Sequence, residues 1–272
     1  GSVAGKYELT LSSTKVSAQV PFDMPAGDYA TNLTLKLAGS PHGRVDPSRP
    51  LMVTFNMGKA VPIRARGNRF EAVLDLSKNR IRPRGNLLTF SYGDDGADCL
   101  DTRSGGWVID MARSKVTAKL RSNRPNYNIE HIEPRLRHPM SAPRTVSIIA
   151  KGPNKTALEA LIAQGIGIRM DTIPKFKLNA SSADLKIYVG TRSDLGRLIT
   201  DKTIKAGKGG LIGVQTQSRK PQLVFTGQTQ QQTLELVRAF SRVHLPRSRR
   251  KTVSLSEMNV QMPFIYETQA SI

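Results

Sequence analysis

Three pieces decide the class of the amino-terminal half: Asn86-Leu87-Leu88-Thr89-Phe90-Ser91-Tyr92, then Trp107-Val108-Ile109-Asp110-Met111, then Lys115 to Leu120. In the last piece Val116, Ala118 and Leu120 alternate with Lys115, Thr117, Lys119 and Arg121. A period of two marks a strand with one buried face and one wet face. Between the first two pieces lies an acidic loop holding Asp94, Asp95, Asp98 and Asp101, together with the single cysteine, Cys99.

The same rhythm extends toward the amino terminus. Tyr7 to Leu11, Val16 to Val20 and Asn32 to Leu37 alternate, and Leu51, Val53 and Phe55 share one face of a further strand. Val61 to Ala65 and Phe70 to Leu76 follow turns at Gly58 and Gly67-Asn68. Short strands at intervals of about ten residues, with Gly, Pro and Asn between them, predict an antiparallel β-sandwich over residues 1–124. Residues 125–144 carry Pro125, Pro134, Pro139 and Pro143 among Arg135, Arg137 and Arg144 without sustained periodicity, and are expected to form a linker.

From Thr145 the pattern becomes strand, helix, strand. Val146 to Ala150 is a short apolar run, and Lys155 to Gln164 places Leu158, Leu161 and Ile162 on one helical face. Ile166 to Met170, Asp184 to Gly190, Leu211 to Val214 and Leu223 to Thr226 are further strand candidates. Ser193 is a candidate cap for a helix reaching Ile199, and Thr229 to Val243 is the clearest helix. The alternation predicts a mostly parallel α/β sheet over residues 145–257, followed by an extended tail at 258–272.

The order of parts resembles the periplasmic B subunit of bacterial cellulose synthase. Asn86, Leu88, Phe90, Cys99, Asp101, Trp107 and Ser114 match that family's strand, its loop with an acid-flanked Cys, and the Trp and Ser that follow. Pro21-Phe22-Asp23-Met24-Pro25 and Leu51 to Asn56 resemble its early segments, while Asp184 to Thr191 and Leu223 to Gly227 resemble strands of its α/β part. The resemblance implies a jelly-roll, carbohydrate-binding-like sandwich followed by a flavodoxin-like domain. The family typically repeats this pair and ends in a membrane anchor; here one pair is present. No run approaches the ~18 apolar residues of a membrane helix. Gly1-Ser2 resembles a cloning scar, so either a piece of a longer, anchored protein or a shorter relative of the family is expected.

Charge is the loudest feature of the composition. There are 41 Lys and Arg against 21 Asp and Glu, a formal net charge of +20. Such an excess favours anionic partners, be they acidic glycan, lipid head groups or nucleic acid. Arg135, Arg137, Arg247, Arg249 and Arg250, in the two densest basic runs, are the candidate polyanion contacts. The spread of the remaining basic residues, without interleaved aromatics, argues against nucleic acid.

Catalytic motifs are sparse. Lys205-Ala206-Gly207-Lys208-Gly209-Gly210 has the glycines of a phosphate loop but not its spacing, and Lys151 to Thr156 fits no better, so no cofactor is expected. His42, His131, His138 and His244 are isolated, and one Cys completes no zinc site, so no metal is expected. The four aspartates suit calcium in type but not in spacing. Tyr92 and Trp107 flank the acidic loop and, with Asp95 and Asp101, are the candidate glycan contacts: an aromatic ring stacks on a sugar face while carboxylates bond hydroxyls. Trp107 serves equally well as a core anchor, and that role is favoured. Taken with the resemblance, the expectation is a non-enzymatic periplasmic subunit that partners a membrane-embedded processive glycosyltransferase and a polysaccharide chain. The alternative is a free-standing module that binds an anionic glycan or other polyanion.

Overall fold

In the computed structural model, residues 8–12, 15–43, 50–92, 105–122, 127–218 and 220–264 are described. The chain divides into two compact units, the first comprising residues 1–24 and 28–121 and the second 25–27 and 122–272. β-Strands dominate, the first unit being antiparallel and the second a mixed sheet with helices.

The alternating segments of the first unit fold as read. They form β1 (Glu8–Leu11), β2 (Ser17–Phe22), β3 (Asp28–His42), β4 (Leu51–Phe55), β5 (Val61–Ile63), β6 (Phe70–Asp75), β7 (Asn86–Tyr92), β8 (Gly106–Asp110) and β9 (Lys115–Ser122). One sheet runs β1-β8-β3-β6, with β9 also on β3; the other runs β2-β7-β4-β5. Each sheet buries one row of alternate side chains: Leu33, Leu35 and Leu37 in the first, Leu51, Val53, Phe55, Leu88 and Phe90 in the second. β3 is far longer than its apolar core suggests, because β6 pairs with Thr34 to Gly39 and β8 takes over at Gly39 to His42. Gly39 sits where these partners converge. A Cβ there would stand 2.2 Å from the Val108 carbonyl and 2.5 Å from the Phe70 ring.

Polar side chains close the gaps that this pairing leaves. β8 and β9 both pair with β3, and between them Ser114 accepts from the Ala38 amide at 3.0 Å and donates to the Ala38 carbonyl at 3.3 Å. In the other sheet, Asn56 adopts a positive φ of 52° just after β4. Its Oδ1 accepts from Leu87 N at 2.9 Å and its Nδ2 donates to the Arg80 carbonyl at 2.7 Å. The wholly buried Asn86 accepts from Arg82 N at 2.9 Å and donates to the Arg82 carbonyl at 2.7 Å. Buried backbone groups must find partners, and these three side chains supply them at strand ends.

In the second unit the presumed linker is part of the fold. A turn at Ile129–His131 leads into α1 (Ile132–Arg137). Tyr127, Ile129, Ile132 and Leu136 are buried in the unit's main core. Of the prolines that made this stretch look like a spacer, Pro134 lies in the first turn of α1, where its missing N–H has no helical partner to lose. Ile129, Ile132 and Leu136 fall three and four apart, an apolar stripe too short to outweigh the Pro and Arg around it.

The sheet follows: β10 (Thr145–Ala150), α2 (Lys155–Gly167), β11 (Lys175–Leu178), β12 (Leu185–Thr191), α3 (Arg192–Leu195), α4 (Lys202–Ala206), β13 (Leu211–Gln215), β14 (Gln222–Gly227), α5 (Gln230–Phe240), β15 (Thr252–Ser254) and α6 (Leu255–Asn259). The order is β11-β10-β12-β14-β13-β15. The first four are mutually parallel, while β13 runs antiparallel to β14 and β15 antiparallel to β13. The expectation of a mostly parallel sheet thus holds for its core and fails at one side. One face of the sheet, with Ile148, Ile187, Val189, Leu223 and Phe225, packs on α2 and α5. The other, with Tyr188 and Val224, packs on Leu195, Ile199 and Ile204.

Three local expectations are corrected. Residues 166–170 are not a strand, because α2 continues to Gly167. Gly165 reads as a helix breaker but is there for closeness: a Cβ would meet the Phe240 ring at 2.5 Å. The strand instead forms at Lys175–Leu178, an edge whose charged alternate residues disguise it. The cap after β12 is Thr191, accepting from Asp194 N, rather than Ser193.

One buried cation ties the carboxyl-terminal segments together. Arg169, wholly buried, donates from Nε to Glu133 Oε1 at 2.9 Å and from Nη1 to the Gly165 and Phe240 carbonyls, each at 2.7 Å. Its Nη2 donates to the Val243 carbonyl. The guanidinium lies 3.8 Å from the Phe240 ring centre and 4.8 Å from that of Phe264. Removing one partner of a buried ion pair costs roughly 3–5 kcal/mol, since the other is left charged and dry. Arg169→Ala is therefore expected to lower the unfolding free energy by about that amount in denaturant titration, whereas Arg137→Ala, an exposed neighbour, shifts it by less than about 1 kcal/mol.

Candidate anion-binding face

The second basic run and the segment that leads into the first, more than a hundred residues apart in sequence, meet in the second unit. The Ile129 amide donates to the Arg250 carbonyl at 3.0 Å and the Glu130 amide to the Ser248 carbonyl at 3.0 Å. Further back along the same strap, Glu133 accepts from Leu245 N at 2.8 Å and lies 3.0 Å from His244 Nδ1, while also holding Arg169. Residues 242–250 are thus laid against the entry to α1. Glu133 is the organising residue of this face, and its surroundings in the sequence, His131-Ile132-Glu133-Pro134-Arg135, gave no signal of it.

The candidate polyanion contacts are brought to this strap in different states. Arg247 and Arg249 are exposed, Arg249 with 91% of its side chain in solvent and only a 3.9 Å approach to Glu130. Arg250 is exposed but engaged by Glu257. Arg137 is exposed and its Nε donates to the Arg169 carbonyl at 3.3 Å. Arg135 is half-buried, its guanidinium 5.3 Å from the Tyr127 ring centre. Arg242, not singled out from sequence, is also exposed, and among the described residues neither Arg242 nor Arg247 has a carboxylate within ion-pair reach. Exposed ion pairs such as Arg249–Glu130 contribute little, so these cations stay open to an external anion.

The candidate glycan contacts are not gathered in the same way. Asp95 and Asp101, with Asp94, Asp98 and Cys99, lie outside the described residues. Tyr92 and Trp107 stand in different sheets, Tyr92 opposite Leu51 and Trp107 opposite Leu11. Both are buried, and Trp107 meets Phe70 edge-on at 5.6 Å between ring centres. Their rings are engaged in packing and offer no face to a sugar, which corrects the glycan-stacking role and agrees with the core role favoured for Trp107.

At the carboxyl ends of the parallel strands, where α/β sheets commonly bind ligands, this sheet is braced from within. Asp194 accepts from Thr191 Oγ1 and from Gln230 Nε2, each at 2.7 Å. Arg192 donates from Nε to the Ile204 carbonyl at 3.2 Å and from Nη2 to the Gly209 carbonyl at 3.0 Å, and its burial pushes its pKa below the ordinary value. The glycine-rich loop at 205–210 therefore turns a carbonyl toward an internal cation, the opposite polarity to a phosphate cradle.

No known family model matches the chain, and no curated protein matches it either.

At the opposite end of β12, Asp184 clasps neighbouring elements. It accepts from the Arg144 and Thr145 amides at 3.2 and 3.1 Å, and from Lys220 Nζ at 3.1 Å. Burial alone would raise its pKa, but the bonds from Lys220 and Thr145 together outweigh burial and hold it below the ordinary 3.8. A depressed folded-state pKa contributes stability above the unfolded value and loses it as pH falls through the folded one. The parent protein is expected to lose this contribution on acidification below about pH 4. Asp184→Ala should cost about 1 kcal/mol at neutral pH, the carboxylate being 44% exposed, and should flatten the acid limb of a stability–pH curve.

Proposed function

We propose that this chain is a non-catalytic, periplasmic accessory subunit of a bacterial exopolysaccharide synthase of the cellulose type. In this reading the first unit is a jelly-roll-like sandwich and the second a flavodoxin-like domain. The observation that carries the proposal is what the shared motif residues do. Asn56 and Asn86 satisfy strand ends in one sheet, Ser114 bridges the handover from β8 to β9, and Asp184 clasps the start of β12. A resemblance carried by residues that hold a fold together supports a shared scaffold and a structural role. The first strands of the α/β sheet, ordered β11-β10-β12, follow the flavodoxin pattern, whereas the antiparallel β13 and β15 depart from it.

Such a subunit holds the export machinery together and escorts the nascent glycan. Tagged full-length protein, purified from detergent-solubilised membranes of the source cell, is expected to bring down a processive glycosyltransferase; its loss is expected to stop polymer secretion while synthase levels persist. Unchanged polymer output would contradict the proposal.

A second reading, a free-standing polyanion binder, draws on the packing of the second basic run, at Ser248 and Arg250, against Ile129 and Glu130, just ahead of the first. Affinity for an acidic glycan that falls steeply with salt and ignores sugar identity, with no synthase co-purifying, would favour it.

A further inference from the structure

We infer that the arginine-bearing strap of the second unit is a docking surface for an anionic lipid bilayer, with Met262 and Val260 entering the layer below the head groups. The inference concerns this unit alone and stands apart from the synthase reading.

The geometry begins with a short two-stranded ladder. Val243 pairs with Pro263, the His244 amide donates to the Met262 carbonyl at 3.0 Å, and the Phe264 amide donates to the Arg242 carbonyl at 2.9 Å. In an antiparallel pair, residues flanking the central one point to the same side. Arg242 is thereby held opposite Phe264 and His244 opposite Met262, and the His244 and Phe264 rings meet at 3.8 Å. Phe264 turns inward over Arg169. Met262 does not: it is 72% exposed, and Val260, two residues earlier, is 80% exposed.

A lone exposed apolar side chain means nothing. Here Met262 is held by the bridge to the His244 backbone, at the start of the segment 242–250 that carries the exposed Arg242, Arg247 and Arg249, and Val260 stands two residues before it. A soluble polyanion answers the arginines but offers nothing to Met262 and Val260. A bilayer with anionic head groups answers both: phosphates pair with Arg242, Arg247 and Arg249, and the acyl region lies a few ångströms deeper. Charge complementarity thus selects an anionic surface, and the apolar pair selects a lipid one.

The test is co-sedimentation of the 272-residue protein with vesicles of phosphatidylcholine, with and without phosphatidylglycerol. The parent protein is expected to sediment only with the anionic vesicles. Each arginine near a charged surface is worth about fivefold in binding, so Arg242→Gln, Arg247→Gln and Arg249→Gln combined should weaken it about a hundredfold. Met262→Gln, which removes the apolar side chain without adding charge, should weaken vesicle binding roughly tenfold, yet leave binding to alginate or a short DNA duplex unchanged. All four side chains are exposed, so melting temperatures should match the parent's. Vesicle binding untouched by Met262→Gln, or a parent protein that prefers alginate or DNA to vesicles, would overturn the inference.

Discussion

A guanidinium taken wholly out of water must find acceptors for its N–H groups and a counter-charge, or it is too costly to bury. Arg169 meets that demand with Glu133 and the carbonyls of Gly165, Phe240 and Val243. Those partners lie in α1, α2, α5 and the segment after α5, so the demand of one side chain fixes four stretches of chain at once. Glu133 then holds Leu245 N and His244, and Phe264 closes over the guanidinium. The stretch at 127–144 becomes structure rather than spacer because its buried residues share this anchorage. The solvent-facing arginines of residues 242–250 are presented on a backbone that the same anchorage holds in place.

The same logic, at lower stakes, shapes the first unit. Antiparallel pairing leaves amides and carbonyls unmatched wherever strands begin, end or hand over. Ser114 at Ala38, Asn56 at Leu87 and Asn86 at Arg82 take up those groups. They are small and polar, Asn86 wholly buried and Asn56 and Ser114 half-buried, and they stand at the first residue of β7, just after β4 and just before β9. A polar side chain with several backbone partners fixes register more firmly than any single apolar contact, since a slip of one residue strands all its bonds together.

Legibility followed how local the signal was. Alternation over Leu33 to Leu37, Leu51 to Phe55 and Asn86 to Tyr92 announced the strands directly, and the helical spacing of Val237 and Phe240 announced α5. What stayed hidden was non-local. Gly165 looked like a helix end because the ring of Phe240, seventy-five positions on, is what requires it. β11 was missed because its lysines mask an edge strand. The antiparallel β13 carries the same apolar run as its parallel neighbours, and only its pairing with β14 and β15 tells them apart. Of the candidate site, the arginines were visible as composition, but the packing of residues 242–250 against the entry to α1 was not. Glu133 and Arg169, which bring it about, are two ordinary charged residues until the fold places them together. The acidic loop that drew attention to Tyr92 and Trp107 pointed to residues whose own surroundings are apolar.

The segments around Glu133 and His244 belong to the folded body of the second unit, so the arginine face is a built surface rather than a pair of basic tails. Native-state hydrogen exchange, resolved by residue, reads this most directly. The amides of Ile129, Glu130, Leu245 and Phe264 should be protected on the scale of those in β14 and α5 and open together with them. Exchange of these four at the rate of an unstructured chain, while β14 and α5 stay protected, would contradict it.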